Sequence, residues 1–419
     1  MTKIKSKIDS KALGSIIKIN RVKQKMSQRE LAKGICVHSY LSKIENGEIV
    51  ATGEIIKNFF DALSIDFDDS ESFITEGRRL FKGYMEALRF GDFELSNELY
   101  EKIEEEKEKY LHSSMVINYY FAMLARRCST KDRESFEEAK YLLESVIDNM
   151  DSEQKSVLYT YEAIDIMHIS TDYAEAISLL NKVLEYGESA QAYYWLSVCY
   201  LKTDNLIKAT NYAYQALQLY VKEVNLNNVM SSYELMGRIN MCNEYYEEGI
   251  YYFSKAHKVC RKLKDNKPFE GYLFNKIAWC NMCLGNEAEA FHYINQDLYS
   301  ENMIPKLSPN CVKLFIYFMK EDKSNVEKIY RQIDWNSNTL YKLLHKFFEK
   351  YLREERYLYD KGVENILLEI IKSSANLLEV RKFFEKKLII HYKYNRRYKE
   401  IVDIYEKNNE TNIKKQGLR

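Results

Sequence analysis

The stretch SQRELAKGICVHSYLSKIENG, residues 27–47, contains two short helix signals joined by a tight turn. Ser27 and Glu30 have the spacing of a capping box, in which each side chain accepts a hydrogen bond from the other residue's backbone N–H. Gly34 and Gly47 each follow a helical run, and glycine freely takes the left-handed conformation that ends many helices. The stretch therefore predicts one short helix before Gly34 and a second one before Gly47.

Helices are also predicted on both sides of this stretch. Residues 13–25 carry apolar side chains at helical spacing, and Thr52 can cap a further helix that extends to Leu63. Two short helices with a tight turn, inside a bundle of about 50 residues, form the helix-turn-helix arrangement. The alternative is a bundle that uses the turn for packing alone, but the spacing of polar and apolar positions favours a DNA-binding module.

The second short helix of such a module enters the major groove of DNA with its N-terminal residues near the base edges. That end of the helix is mostly polar, as a surface facing the groove must be. The residues predicted to face DNA there are Val37, His38, Ser39, Tyr40, Ser42 and Lys43.

The composition favours helices over the whole chain. Only 14 Gly and 3 Pro occur among 419 residues, and the tight turns of sheet-rich folds draw on both residue types. We therefore expect an all-α protein and exclude β-sandwiches, propellers, collagen-like chains and disordered chains. The eight scattered cysteines indicate a reduced, cytoplasmic protein, and we predict no secretory signal and no membrane span.

The net charge of zero conceals an asymmetry. Residues 1–64 carry 12 basic and 6 acidic side chains, whereas the other 355 residues carry 50 basic and 56 acidic ones. A basic head on a mildly acidic body is typical of a nucleic-acid module joined to a protein-binding body.

A short signature recurs along the body of the chain and ends each time in a small residue. The small residues are Ser96, Ala139, Ala176, Ala209, Gly249 and Ala290, and they are spaced 43, 37, 33, 40 and 41 residues apart. These intervals bracket the tetratricopeptide period of about 34 residues. Large and small residues also alternate within the units as this repeat requires, for example at Tyr233, Met236, Gly237 and Phe253.

These patterns predict an N-terminal helix-turn-helix bundle followed by a right-handed tetratricopeptide-like α-solenoid. The predicted boundaries are 1–65 for the DNA-binding domain, 66–75 for a linker and helix start, 76–300 for the repeats, 301–407 for divergent helical repeats with a capping region, and 408–419 for a frayed tail.

A stack of such helix pairs has a concave inner face lined by the first helix of each pair. The inward positions are mostly aromatic or polar, whereas a merely solvated surface would favour Lys and Glu. The residues predicted to bind an extended peptide there are Tyr161, Asp165, His168, Gln191, Tyr194, Glu234, Arg238, Tyr272, Asn275 and Trp279. Arg238 has an equal alternative, since it can pair either with a peptide carboxylate or with Glu234 four residues earlier.

The stretch from Gly14 to Leu63 resembles the helix-turn-helix of the phage-repressor and Xre family. With its short turn, it is similar to the heads of the Gram-positive peptide-pheromone regulators of the Rgg, PlcR and NprR type. The resemblance implies a structural ion pair between Arg21 and Glu45. It also implies phosphate contacts from Gln28 and Asn46 and base contacts from His38, Ser39 and Lys43, and it gives Asn275 the role of holding a peptide backbone.

The resemblance further implies a cytoplasmic, homodimeric transcription regulator that acts in quorum sensing. It would bind a double-stranded DNA operator, an inverted repeat, together with a short signalling peptide, and it would be neither an enzyme nor a membrane protein. Two alternatives stay open: an interaction or phosphatase-like protein that regulates a response-regulator partner, and a phage or mobile-element lysogeny regulator of the same build.

No motif points to a cofactor or a catalytic centre. The sequence has neither a glycine-rich phosphate loop nor a nucleophile elbow. Cys280 and Cys283 form a C-x-x-C without a second pair, whereas a zinc site needs four ligands. We therefore predict core packing for these cysteines, and neither a metal nor a cofactor.

Overall fold

The computed structural model describes residues 9–126, 132–263, 267–296, 307–374 and 377–404, and of residues 267 and 268 only the backbone. These described residues form helices and turns without a strand, so the predicted all-α class is confirmed. The chain divides into two compact units, Met1–Trp195 and Leu196–Arg419. The predicted domain boundaries stay a prediction, and the tail 408–419 lies outside the described residues.

The first unit begins with a four-helix head and continues with the first repeat helices. Its helices are α1 (Ser10–Lys23), α2 (Gln28–Ala32), α3 (His38–Glu45), α4 (Gly53–Leu63), α5 (Glu71–Phe90), α6 (Phe93–Glu105), α7 (Lys107–Leu111), α8 (Val116–Arg126), α9 (Arg133–Ser145), α10 (Ser152–Ile169) and α11 (Tyr173–Glu185). A 3₁₀ turn, Ile147–Asn149, precedes α10.

The second unit also consists of consecutive helices that pair with each other along the chain. Helix α12 (Ala190–Lys202) runs across the division, and it is followed by α13 (Leu206–Lys222), α14 (Leu226–Cys242), α15 (Tyr246–Cys260), α16 (Lys267–Leu284), α17 (Glu287–Ile294), α18 (Pro309–Met319), α19 (Lys323–Tyr330), α20 (Thr339–Arg353), α21 (Lys361–Ser373) and α22 (Leu378–Tyr394). A 3₁₀ turn lies at Tyr357–Tyr359, and a last helical segment covers 398–404.

The ends of the short helices in the head are set by the predicted local signals. The Ser27 hydroxyl accepts a hydrogen bond from the Glu30 N–H at 3.2 Å, and the Glu30 carboxylate accepts one from the Ser27 N–H at 2.7 Å. Gly34 and Gly47 have φ values of +80° and +68°, the left-handed conformation that glycine adopts without strain. The capping box and both glycine stops are confirmed.

Helix α1 is buried from two sides. It packs against α3 and α4 within the head and against α8 and α9 of the repeats. Its side chains Ile16, Ile17 and Ile19 are fully buried, in one hydrophobic core that extends from the head into α10. The head is therefore joined to the first repeat helices by packing, in addition to the chain connection.

The segment that connects the head to the repeats is also held in place by hydrogen bonds. Residues 65–70 are not helical, and they run beside the loop between α7 and α8. The Asp66 N–H donates to His112 Nδ1 at 3.3 Å, and the Ser114 N–H donates to Asp69 Oδ1 at 2.8 Å. Asp66 and Asp69 of the predicted linker 66–75 thus contribute an N–H group and an acceptor that bind this segment to the repeats.

The end of α3 lies very close to α1. A Cβ atom added at Gly14 would lie 2.3 Å from the carbonyl oxygen of Ile44 and 2.8 Å from that of Glu45. Backbone atoms cannot move aside as the tip of a flexible side chain can, so only glycine fits at this crossing. The small residues of the repeats act similarly in the second unit, where a Cβ at Gly237 would lie 2.6 Å from the ring of Phe253.

We predict that Gly14→Ala destabilises the first unit by at least about 2 kcal/mol, because the added methyl group forces α1 and α3 apart. Urea unfolding would measure the loss. The control is Gly53→Ala at the first turn of α4, where an added Cβ meets no atom within 4 Å. That variant should be as stable as the parent or more stable by up to about 1 kcal/mol, and an equal loss in both variants would contradict the prediction.

Helix α10 contains a buried carboxyl group. Glu162 is 6% exposed, and its Oε1 atom has no hydrogen-bond partner among the described residues. Burial raises the pKa of Glu162 to about 7, and the nearby Glu144 carboxylate adds to the effect against the opposing charges of Lys140 and Lys182. Between about pH 4.5 and pH 7, Glu162 is therefore mostly protonated in the folded chain and mostly ionised in the unfolded chain, where its pKa is near 4.5.

Because the pKa of Glu162 is higher in the folded state, the stabilising contribution of its proton is lost as pH rises through about 7. We predict that the difference in unfolding free energy between Glu162→Gln and wild type shifts in favour of the variant by about 3 kcal/mol as pH rises from 5 to 8. Urea unfolding at each pH measures the difference. Glu153→Gln changes an exposed carboxyl group on the same helix and should show no such gain; a pH-independent difference for Glu162→Gln would refute the assignment.

Candidate functional site

One side of helix α3 is buried in the head, and the other side faces solvent. Leu41, Ile44 and Glu45 are buried, whereas His38, Ser39 and Lys43 are exposed. Tyr40 and Ser42 are half-buried beside them. The polar side chains at the start of α3 thus share one accessible face, as the predicted contacts with DNA bases require.

An ion pair beneath that face holds the end of α3. Arg21 donates to both carboxylate oxygens of Glu45, at 2.6 and 2.8 Å, and to the carbonyl of Met26 at 2.7 Å. Both charged side chains are buried. The predicted structural pair is confirmed, and it links α3 to α1 on the side away from solvent.

The two residues predicted to contact phosphates flank this pair. Gln28 donates from Nε2 to Glu45 Oε2 at 2.7 Å, so part of its amide serves the internal network. Asn46 follows α3 and donates to Glu48 at 3.2 Å. The side chain of Gln28 retains a second N–H, and Asn46 is half-buried, so both can still reach a ligand at the surface.

In the first unit, the predicted peptide-binding residues lie on α10 and α12. His168 and Gln191 are exposed, Asp165 and Tyr194 are half-buried, and Tyr161 is buried. The rings of His168 and Tyr194 both approach the ring of Trp195, with centroid distances of 6.2 and 5.3 Å. The structure therefore brings His168 and Tyr194 together around one tryptophan, and we call Asp165, His168, Gln191 and Tyr194 the α10–α12 face.

In the second unit, the predicted residues of α14 and α16 are engaged with protein groups. Arg238 Nε lies 3.7 Å from Glu234 Oε1, and the Tyr272 hydroxyl also donates to Glu234. Of the two roles considered for Arg238, the structural pairing is present. Asn275 is buried and donates from Nδ2 to the carbonyl of Leu307 at 3.2 Å.

Trp279 is only 3% exposed because later helices cover α16. Its ring packs against Phe315 of α18 and Phe383 of α22, with centroid distances of 5.3 and 6.1 Å. All side chains at 273–280 are buried. Helices that the repeat register did not reveal thus cover Asn275 and Trp279, and the role of these two residues in peptide binding stays a prediction.

Helix α22 is held in this position by charges that the sequence did not reveal. Glu379 forms a buried ion pair with Lys276 of α16. Lys382 donates to the carbonyl of Cys242, the last residue of α14, at 3.0 Å, where the helix dipole favours a cation. Sequence reasoning missed these residues because lysines and glutamates spaced along α22 look like a solvated helix.

No metal centre occurs among the residues that the structure describes, since no three His, Cys, Asp or Glu side chains are grouped to hold an ion. Cys280 is buried and Cys283 is half-buried within α16. In the same described ranges, no helix is both long and apolar enough to span a bilayer.

Residues 17–70 match the helix-turn-helix family. The head is a helix-turn-helix domain. Over 403 residues the chain is 22% identical to the transcriptional activator NprA of Geobacillus stearothermophilus, an alignment that covers 90% of this chain and 92% of NprA. The similarity to NprA therefore extends far beyond the helix-turn-helix head.

The fold is shared with solved structures of a quorum sensor and of a phosphatase. The apo form of the quorum sensor NprR from B. thuringiensis is 15% identical, with a TM-score of 0.60 over 80% of this chain and 99% of NprR. NprR in complex with its cognate peptide NprX is also 15% identical, with a TM-score of 0.57 over 81% of this chain and 99% of NprR. The aspartyl phosphate phosphatase F of Bacillus subtilis, 15% identical, has a TM-score of 0.50 over 83% of this chain and 96% of its own.

These matches confirm the predicted resemblance: the chain combines a helix-turn-helix head with the tetratricopeptide-like fold of NprR. At this level of identity the solved structures show the fold alone, and the roles of individual residues in this chain rest on their own geometry.

Proposed function

We propose that the protein is a DNA-binding transcription regulator whose repeat domain senses a short signalling peptide. The observation that carries the first half is the exposed polar face of α3 on a helix-turn-helix head, with the end of α3 fixed from below by the Arg21–Glu45 pair. The similarity to the activator NprA supports the same conclusion.

For DNA we assign the contacts by position on the head. Helix α3 is the recognition helix, the one that enters the major groove. The base edges are contacted by the residues at its accessible start, His38, Ser39, Tyr40 and Lys43. Gln28 and Asn46, at the start of α2 and just after α3, contact phosphates. Binding as a homodimer to an inverted repeat follows from the symmetry that paired helix-turn-helix heads require.

For the peptide we assign the α10–α12 face. It offers a carboxylate, an imidazole, an amide and a phenol near Trp195, and its members are at least partly accessible. The peptide complex of NprR shows that this fold can serve such a ligand. Asn275, Trp279 and their neighbours on α14 and α16 are covered or paired in the present conformation, so we place the first contacts on α10 and α12.

The proposal contains no catalytic step. The likeness to the aspartyl phosphate phosphatase concerns the fold, and the faces described above are arranged for binding. We place the protein in the cytoplasm, where both its DNA and a re-imported peptide would be available.

Capture of sheared genomic DNA from the source organism on the full-length protein, followed by sequencing, tests the proposal. Enrichment of one inverted repeat establishes the operator, and a small open reading frame with a secretion signal beside it nominates the peptide. The proposal fails if no sequence is enriched either alone or in the presence of synthetic peptides from such reading frames.

We predict that Lys43→Ala weakens binding to that operator by about 1–3 kcal/mol while binding to random DNA changes little, because Lys43 reads a base edge. Fluorescence anisotropy at fixed salt measures both affinities. Lys57→Ala removes an equally exposed charge from α4 of the same head and should change both affinities only slightly. Equal losses on operator and random DNA for Lys43→Ala would make Lys43 a phosphate contact instead.

We predict that Tyr194→Ala lowers affinity for the peptide at least tenfold and leaves operator binding without peptide unchanged, since Tyr194 lies on the α10–α12 face. Titration calorimetry with the nominated peptide measures this effect. Tyr141→Ala removes an exposed tyrosine from α9 and serves as the control. Unaltered peptide affinity in Tyr194→Ala would move the peptide site off this face.

A further inference from the structure

Asn149 connects the repeats to the recognition helix. It is the last residue of the 3₁₀ turn before α10 and is only 7% exposed. Its Nδ2 group donates to the carbonyl of Glu45 at 2.8 Å and to Ser15 Oγ at 3.0 Å. Both amide hydrogens are therefore used on the head, and one of them holds the final residue of α3.

The other half of the Asn149 amide has no hydrogen-bond partner in the part of the chain that the structure describes. The Oδ1 atom is unpaired among the described residues, and the residue borders a polar cavity of about 200 Å³ with Ser15, Ser114 and Gln154. An asparagine that served only its own turn would bond to nearby backbone groups. This one leaves its acceptor unpaired and directs its donors to α1 and α3, which indicates a role toward the head.

Asn149 also moves with α10. Asp151 caps α10, and its side chain and that of Gln154 form a capping box across the first turn. Only Met150 separates Asn149 from that cap. A shift of the N-terminus of α10 therefore displaces Asn149 directly.

The opposite end of α10 belongs to the α10–α12 face. Asp165 and His168 lie in the last turns of this helix. At about 1.5 Å per residue, the helix transmits a tilt at that end over roughly 25 Å to the turn that contains Asn149. One rigid element thus has the proposed peptide contacts at one end and the support of the recognition helix at the other.

Glu45 is the residue where this path meets the DNA-binding face. Its side chain is bound by Arg21 and Gln28 within the head, and its carbonyl is bound by Asn149 from the repeats. At the same point, α3 and α1 cross at Gly14 with no free space between their backbones. The position of the C-terminal end of α3 is therefore set by these hydrogen bonds to Glu45.

We propose that Asn149 is a positioning residue through which α10 sets the recognition helix, so that a peptide on the α10–α12 face changes DNA affinity by way of Asn149. This inference rests on the proposed function. A bound ligand can alter the DNA affinity only if it favours one position of α10 over another, and Asn149 is the contact by which that position reaches α3.

Asn20 provides a matched control. It is 6% exposed, and its Nδ2 group donates to the carbonyl of Leu111 in the repeats at 3.1 Å and to that of Ile16 at 2.9 Å. Like Asn149, it joins the head to the repeats through its buried amide, by the single hydrogen bond to Leu111, but neither of its bonds involves α3. Asn20→Ala thus reports the general loss of a head-to-repeat bond.

The experiment compares full-length Asn149→Ala and Asn20→Ala by hydrogen exchange and DNA binding. We expect amides at 44–48 to exchange at least tenfold faster in Asn149→Ala than in Asn20→Ala, with equal helix content by circular dichroism. Operator affinity should fall at least tenfold only in Asn149→Ala. Ser15→Ala removes one of the two acceptors of Asn149 and should show a smaller effect in the same direction, which keeps the test valid if Asn149→Ala folds poorly.

The coupling itself is tested with the nominated peptide. In wild type and Asn20→Ala the peptide should shift operator affinity by the same factor, whereas in Asn149→Ala that factor should approach one. Equal behaviour of both asparagine variants, or an undiminished peptide effect in Asn149→Ala, overturns the inference. If no operator is found, the proposed function fails but this inference is still tested. The hydrogen-exchange rates of the amides at 44–48 then decide whether Asn149 positions α3.

Discussion

The burial of α1 from two sides is the constraint on which the first unit depends. A helix at the surface of a free-standing bundle buries one stripe and leaves the rest to water. In α1 the fully buried side chains Ile16, Ile17 and Ile19 extend around the helix, because α3 and α4 cover one side while α8 and α9 cover the other. Moving the head away from the repeat helices would expose that apolar surface, so the orientation of the recognition helix is determined by the repeats.

The side chain of Glu45 is hydrogen-bonded to those of Arg21 and Gln28 within this core, and these bonds explain why α3 is held so firmly. A buried ion pair stabilises a fold only when further hydrogen bonds satisfy the charged atoms. Glu45 meets this condition, since Arg21 contributes two bonds and Gln28 a third. The carbonyl of the same residue accepts from Asn149, so the end of α3 is bound to its own head and to the repeats.

Local signals could be predicted from the sequence, and long-range contacts could not. The capping box at Ser27, the glycine stops and the helix-turn-helix depend on residues a few positions apart, where spacing alone defines the geometry. The Arg21–Glu45 pair was reached by resemblance. Asn149 contacts a carbonyl 104 residues earlier in the chain, and nothing in its neighbourhood distinguishes it from any other turn asparagine.

The same limit explains the outcome for the candidate ligand face. Repeat periodicity predicts which side of α10, α12 and α16 points inward, because that prediction depends on spacing within each helix. It does not reveal that α18 and α22 cover α16, since that requires aromatic packing between Trp279, Phe315 and Phe383 and charges on a helix about a hundred residues later.

The closed state of α16 has an energetic consequence for where a ligand acts. A ligand that used the face of α16 would have to displace α22, which separates the buried charges of Lys276 and Glu379 and exposes Phe383. Leaving one member of a buried pair without its partner costs several kcal/mol, and a ligand would have to recover that free energy before it gained any affinity. The α10–α12 face requires no such opening, because its side chains are already at least partly accessible. It also lies in the same compact unit as the helix-turn-helix head. Under the proposed function, a ligand there uses its binding free energy to displace α10, whose N-cap Asp151 lies two residues after Asn149. The first unit would then both receive the signal and pass it to DNA.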